Sequence, residues 1–275
     1  MLGELLVKPA AGKHAIEVMA LAVEWGVPVS SDVIAAIRAL HDGSALLREF
    51  LPRAEALQEL TVSIGKDGPS VGMAEAGGLQ LSRHSADGKP TWLVQARPDL
   101  LSCSCMEYDR WEATKPKALD VLMPLIALVA AQDYPMQAVG VQYQDAFRVD
   151  TNSPIAATRQ LFLDGTAWLS PRIWSEDAPW HIHQGWFSAG MDGRLVHNVM
   201  NVDLTTDEQG CLLRINGQHR MLERGHAKGA SVIPIQPSDV ALALDSLHIE
   251  NKRVLVQLLS QSVCDQIGLK VLETK

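Results

Sequence analysis

Cysteine is scarce in this chain. Four residues in 275 are too few for a disulfide framework. Cys211 and Cys264 stand alone, with no Cys-x2-Cys partner of the kind zinc sites use. A long apolar run is also missing. The longest, "ALDVLMPLIALVAA" (118–131), is broken by Asp120 and Pro124, short of the roughly 18 residues that would suggest a membrane span. Positive charge is in deficit, 24 Lys and Arg against 32 Asp and Glu, for a net charge of −8. That opposes general phosphate binding, which lysine and arginine drive. There is no Gly-x-Ser-x-Gly, no Gly-x4-Gly-Lys-Ser/Thr and no Gly-x-Gly-x-x-Gly after a strand, so the common nucleophile and nucleotide signatures are absent. The first residues, "MLGELLVKPAAGKHA", lack a basic stretch followed by an apolar one, so no signal peptide is expected. These absences predict a soluble, cytoplasmic chain with no membrane association and no assigned cofactor, metal ligand or catalytic residue.

What is present is material for a core. Hydrophobic residues make up 47% and charged residues 20%, an ordinary globular balance. "IEVMALAVEW" (16–25) reads as a strand. "SSDVIAAIRALHDG" then carries an apolar stripe of Val33, Ile34, Ile37 and Leu40 behind a Ser31 cap, a helix pattern. "ALQELTVSIG" (56–65) and "GLQLSRH" (78–84) read as strands. Asp87-Gly88 marks a hairpin turn. "TWLVQA" is expected to run on past Arg97-Pro98 into "LLSCSCMEY". Asp109 and Glu112 have capping-box spacing ahead of a long helix kinked at Pro124. The second half repeats the order. Residues 136–149 form a strand and Ser153-Pro154 opens a helix. "WHIHQGWFSA" and "RLVHNVMNVDL" flank a turn at Asp192-Gly193. "CLLRINGQHRML" is a strand or a hairpin about Asn216-Gly217, and 237–268 is a long helix.

The expected fold class is therefore α+β: two tandem β-α-β-β-β-α units with antiparallel sheets, each covered by a long helix. Their bounds are 1–134 and 135–275, with an insertion near 208–236. Residues 109–123 laid without gaps over 245–259 match Asp109 with Asp245, Leu119 with Leu255 and Leu122 with Leu258. That supports an internal duplication.

Tyr108, Trp111-Glu112, "VGVQYQDAF" (139–147), "LDSLHIENK" with His248, and "IEVMALAVEW" together resemble an uncharacterised, sporadically distributed bacterial protein family of similar length. Members share a strand ending in Tyr, a Trp-Glu helix start, a "vGvrY" strand and a C-terminal Leu-His helix. Where that strand has Arg before its Tyr, this chain has Gln142, so no role for the arginine carries over. The resemblance implies no particular activity. The scattered distribution of the family is similar to that of antiviral defence or toxin–antitoxin genes, so it points to an accessory component of such a system.

Candidate chemistry is thin. Cys103 and Cys105 in "SCSCM" share one strand face, with Cβ atoms ~7 Å apart, too far for a disulfide. With Leu101 they read as a packing seam for the following helix. "HIH" (181–183) aims two imidazoles to one face, but His197 is expected five ladder positions from His183, on the order of 16 Å, so one hairpin does not assemble a metal site from all three. Trp168, Trp174, Trp180 and Trp186 crowd together. Tryptophan serves both cores and binding hot spots, and Trp174 and Trp180 are the candidate protein-binding residues. Arg214, Arg220, Arg224 and Lys228 form the one basic stretch, a candidate nucleic-acid contact.

Three functions follow from these residues. The leading one is a non-enzymatic protein-interaction or accessory component, its partner another protein or a second copy of itself. The alternatives are a nucleic-acid-binding protein using 214–229 and a metal-dependent enzyme using the second-half histidines.

Overall fold

The computed structural model describes residues 6–10, 12, 14–65, 68–225 and 232–270. In chain order the strands and helices are β1 (Val7–Pro9), β2 (Ile16–Trp25), α1 (Ser31–Gly43), α2 (Ala45–Phe50), β3 (Arg53–Gly65), β4 (Gly68–His84), β5 (Pro90–Ala96), β6 (Leu100–Cys105), α3 (Trp111–Ala130), β7 (Met136–Val149), α4 (Pro154–Leu161), β8 (Trp180–Ala189), β9 (Arg194–Asp207), β10 (Gly210–Gly225), α5 (Val240–Leu258) and α6 (Gln261–Gln266). They form two compact units. A central unit comprises Ala20–Val139 with Pro234–Val240; a terminal unit comprises Met1–Met19, Gly140–Ile233 and Ala241–Lys275. Both combine helices with antiparallel strands, an α+β architecture. No helix among the described residues is long and apolar enough to cross a membrane.

In the central unit the strands follow the order β3-β4-β5-β6-β2. One face carries Leu81, Val94 and Cys103 in register across three strands, all at most 1% exposed. Helix α3 packs on β6 and α1 packs on β4. The "SCSCM" stretch is the seam the alternation predicts: Leu101, Cys103 and Cys105 are buried, and both thiols are unbridged. Burial pushes the Cys103 thiol up, aided by Cys105, and pushes Cys105 up to about 11. Neither is a thiolate at neutral pH, so neither is a ready nucleophile. Alkylation at pH 8 should therefore leave both unmodified until the chain is unfolded; labelling of native protein at either position, read by mass spectrometry, would contradict the packing.

Several details differ from expectation. Arg97 and Pro98 do not continue a strand. Arg97 and Leu100 exchange backbone hydrogen bonds of 2.7 and 3.3 Å, so β5 and β6 are a tight hairpin. Proline has no N–H to give a ladder and its fixed φ suits a turn. The first part thus has four strands between α1 and α3, not three. Helix α3 starts at Trp111, with Arg110 at the cap and no side-chain cap bond, and runs through Pro116 and Pro124. Helix α1 is capped by Ser30 rather than Ser31: its hydroxyl accepts from the Val33 N–H. The long C-terminal helix is two helices, interrupted where Leu259 bridges Phe162.

The terminal unit has the strand order β7-β10-β9-β8, with β1 pairing the end of β7. The chain just before β2 also lies against β7 here, where the Ala146 N–H donates to Ala15 O at 2.8 Å. Ser153 caps α4 as its sequence indicates, accepting from the Ala156 N–H, with Pro154 in the first turn. Asp192-Gly193 closes β8 onto β9, both residues at positive φ (54° and 70°), the backbone that Gly tolerates and Asp adopts more readily than most. Helices α4, α5 and α6 supply Ala157, Leu161, Val254, Leu255, Leu258 and Val263 to a core with Phe147, Met200, Val202, Leu204, Leu213 and Ile215. Asn216-Gly217 is not a turn. β10 runs straight through it, paired residue for residue with β9 from Gly210 to Met221. Residues 210–221, inside the segment expected as an insertion, are ladder.

Candidate functional site

Two polar assemblies stand out in the terminal unit, one on each side of its strands. The period of two along β8 sorts them. Trp180, Ile182 and Trp186 turn toward the apolar core. His181, His183 and Phe187 turn away and are exposed. The β9 and β10 registers extend these into rows: His181↔Asp203↔Arg214, His183↔Asn201↔Asn216 and Phe187↔His197↔Arg220.

In the first row His181 Nδ1 donates to Asp203 Oδ1 at 2.5 Å, and Arg214 Nε lies 3.6 Å from Glu17 Oε2. In the second, His183 Nδ1 donates to Asn201 Oδ1, and Gln142 Nε2 donates to Asn216 Oδ1 at 3.1 Å. The third row is apolar at one end. The Phe187 ring stacks on His197, centroids 4.9 Å apart and planes 25° apart, while Phe187 stays 59% exposed. Exposed ion pairs such as these stabilise by at most ~1 kcal/mol. Their effect is to fix side-chain orientation.

On the other side, beneath α5, lies a buried polar seam. Tyr143, fully buried, meets His248 Nδ1 through its hydroxyl at 2.9 Å. Three residues on, Asn251 lies on the same helix face and meets His219 Nε2 at 3.1 Å. His219 Nδ1 lies 2.7 Å from Asn198 Oδ1, so the ring sits between two carboxamide oxygens and, when neutral, its single N–H donates to one of them; Asn198 Nδ2 donates to Ser188 Oγ at 3.0 Å. Burial pushes His219 down to about 4, opposed by the Asn251 contact, so the ring is neutral at pH 7. Gly217 makes room for the seam: a Cβ there would sit 2.7 Å from the Asn251 carboxamide. Also in β7, Asp145 is 3% exposed. Burial first, then the Glu17 carboxylate, pushes it up to about 7.

The two motif residues Tyr143 and His248, 105 positions apart in sequence, are thus one hydrogen-bonded pair. The chain matches no protein-family model and no curated protein.

The expected site residues divide between the two sides. Trp180 faces the core: its Nε1 donates to Thr158 Oγ1 at 3.1 Å and its ring lies 5.7 Å from Phe162. Trp174 ends a short 3-10 turn, Pro171–Trp174, and packs on the same core. Both are tied to internal packing. Trp168 and Trp186 pack together with ring centroids 4.7 Å apart. Arg214 and Arg220 lie on the exposed-histidine side. Arg224 lies within the β10 irregularity between Met221 and Gly225, in a bridge with Val232. Lys228 is outside the described residues. His183 and His197 are four ladder positions apart, since His197 pairs with Phe187. That is ~13 Å, and no group of three metal-ligating side chains occurs among the described residues.

Phe187 was not singled out from the sequence, although the parity of "WHIHQGWF" already sets it beside the histidines. Nothing in the sequence joins Asn198, His219 and Asn251, because each sits on a different element.

Proposed function

We propose that this chain is a non-enzymatic binding or accessory component that docks a protein partner on the His181–Phe187–Arg220 side of β8, β9 and β10. The observation that carries this reading is Phe187, a large apolar ring 59% exposed and ordered by its stack on His197 in a row that ends at Arg220. Aromatic and arginine side chains are enriched at protein interfaces, and an aromatic held rigid loses little entropy on binding. The candidate contacts move from Trp174 and Trp180 to Phe187, His197 and Arg220.

The experiment is quantitative affinity capture from the native host. A partner recovered by the wild type should fall at least ten-fold with Phe187→Ala and with Arg220→Ala, and stay unchanged with Leu242→Ala, an exposed apolar residue on α5. Recovery that ignores both substitutions, or a turnover by the purified chain, overturns the reading.

A second reading rests on Arg214 and Arg220 sharing that side with Phe187. Basic residues beside a stacking ring suit single-stranded nucleic acid. It predicts binding of a labelled single strand that weakens steeply between 50 and 200 mM salt and is lost with Arg220→Ala and Arg224→Ala. Salt-insensitive anisotropy would exclude it.

The tandem-unit reading belongs with the proposal. It is supported by a strand-helix-strands-helix order in both parts of the chain, although the ungapped overlay sets the start of α3 against the middle of α5. A role in a defence or toxin–antitoxin system rests on the family resemblance alone.

A further inference from the structure

We propose that His181 and His183 form a two-imidazole site for a borderline divalent cation, nickel, copper or zinc, on the exposed side of β8. This stands apart from the docking reading, since a metal titration involves no partner.

The geometry of each ring is set by a cross-strand neighbour. His181 Nδ1 donates to the Asp203 carboxylate and His183 Nδ1 to the Asn201 carbonyl. With the proton held on Nδ1, each Nε2 carries the lone pair. That is how ligating histidines are prepared: the second nitrogen is hydrogen-bonded to a carboxylate or carbonyl, which fixes the tautomer, and a carboxylate partner raises ligand basicity. The His181 side chain is 57% exposed, and His183 is exposed too.

Residues two apart on a strand point the same way, with Cβ atoms ~7 Å apart. Two imidazoles close that span by leaning toward an ion held ~2.1 Å from each nitrogen. The next residue on the same side is Gly185, which places no side chain beside the pair. Imidazole suits zinc, copper and nickel, whereas hard cations prefer oxygen. Water, or a group from a bound molecule, completes the coordination. Two protein ligands make a weaker site than three or four, so the ion is an exchangeable one.

The test is isothermal titration of the full chain with nickel chloride, with copper electron paramagnetic resonance as the second readout. The wild type should bind one ion per chain, and the copper spectrum should show two nitrogen ligands. His181→Ala and His183→Ala should each weaken binding at least ten-fold. Asp203→Asn should weaken it by about ten-fold, the lower end of outer-shell effects, and His197→Ala should leave it unchanged. All four side chains lie on the surface of the strands, and circular dichroism verifies that each variant folds. No binding by the wild type, equal binding by the His181→Ala/His183→Ala double variant, or loss in His197→Ala instead, each overturns the proposal.

Discussion

Asp145→Asn should raise the unfolding free energy by roughly 4 kcal/mol at pH 8 and leave it almost unchanged near pH 4. The wild-type carboxyl has a folded-state pKa pushed from 3.8 to about 7 by burial and by Glu17. The folded chain therefore holds this proton more tightly than the unfolded chain does. As pH rises from 3.8 to 7, the unfolded state gains a solvated carboxylate while the folded state resists ionising, so stability falls. Above pH 7 the penalty is complete. Asparagine has nearly the same shape as the protonated acid and does not ionise, so the penalty vanishes.

His219 acts in the opposite sense. Its folded pKa is pushed from the ordinary 6.5 down to about 4 by burial. Its neutral ring contributes stability that is present above pH 6.5 and is lost as pH falls through the folded value. Between pH 4 and 6.5 the two groups offset each other in the wild type, giving a flat profile. Asp145→Asn should expose the His219 slope, with stability rising by roughly 3 kcal/mol from pH 4 to 6.5. Urea unfolding of both proteins at pH 4, 5, 6.5 and 8 reads this directly. Parallel profiles for the two proteins would show that Asp145 is not held protonated.

Gly217→Ala should destabilise the chain by about 2 kcal/mol. In a strand interior this exchange ordinarily stabilises, because glycine loses more backbone entropy on folding and packs nothing. Here the new methyl would sit 2.7 Å from the Asn251 carboxamide. The backbone on both sides is fixed by the β9 ladder, so Asn251 has to move. His219, almost fully buried, then loses one of its two carboxamide neighbours, and an unsatisfied buried polar group costs ~1–3 kcal/mol. The double-mutant cycle isolates this cause. In an Asn251→Ala background the contact is gone, so Gly217→Ala should cost less than ~0.5 kcal/mol. An equal cost in both backgrounds would place the strain elsewhere.

These two residues also show how far the sequence could be read. Asn216-Gly217 carries the strongest short hairpin signal, and locally that expectation is sound. Here β10 pairs with β9 on both sides of the dipeptide, and the missing Cβ at Gly217 leaves the space that Asn251, 34 residues downstream, occupies. Asp87-Gly88 and Asp192-Gly193 carry similar signals, and both are turns. The difference lies in what packs against the pair, which no local window contains.

The alternation in "WHIHQGWF" and "LLSCSC" showed which residues share a side in those strands, because a pleated strand has only two sides; it did not show that the Trp180 side is the core. The helix cap at Ser153 was legible for a similar reason, and that of α1 to within one residue, Ser30 in place of Ser31: the first turn leaves N–H groups that only a nearby side chain reaches. Composition settled a sizeable core. The period of two settled which residues share a side, as the backbone pleat imposes it on any strand. The tertiary structure alone decided the rows across β8, β9 and β10, since register depends on which strands pair. It also decided that Tyr143 meets His248 and that Asn198, His219 and Asn251 share one buried seam. Such contacts are made by packing a distant helix onto a sheet, and the free energy that selects that packing is summed over the whole core and is not written in any one stretch of the chain.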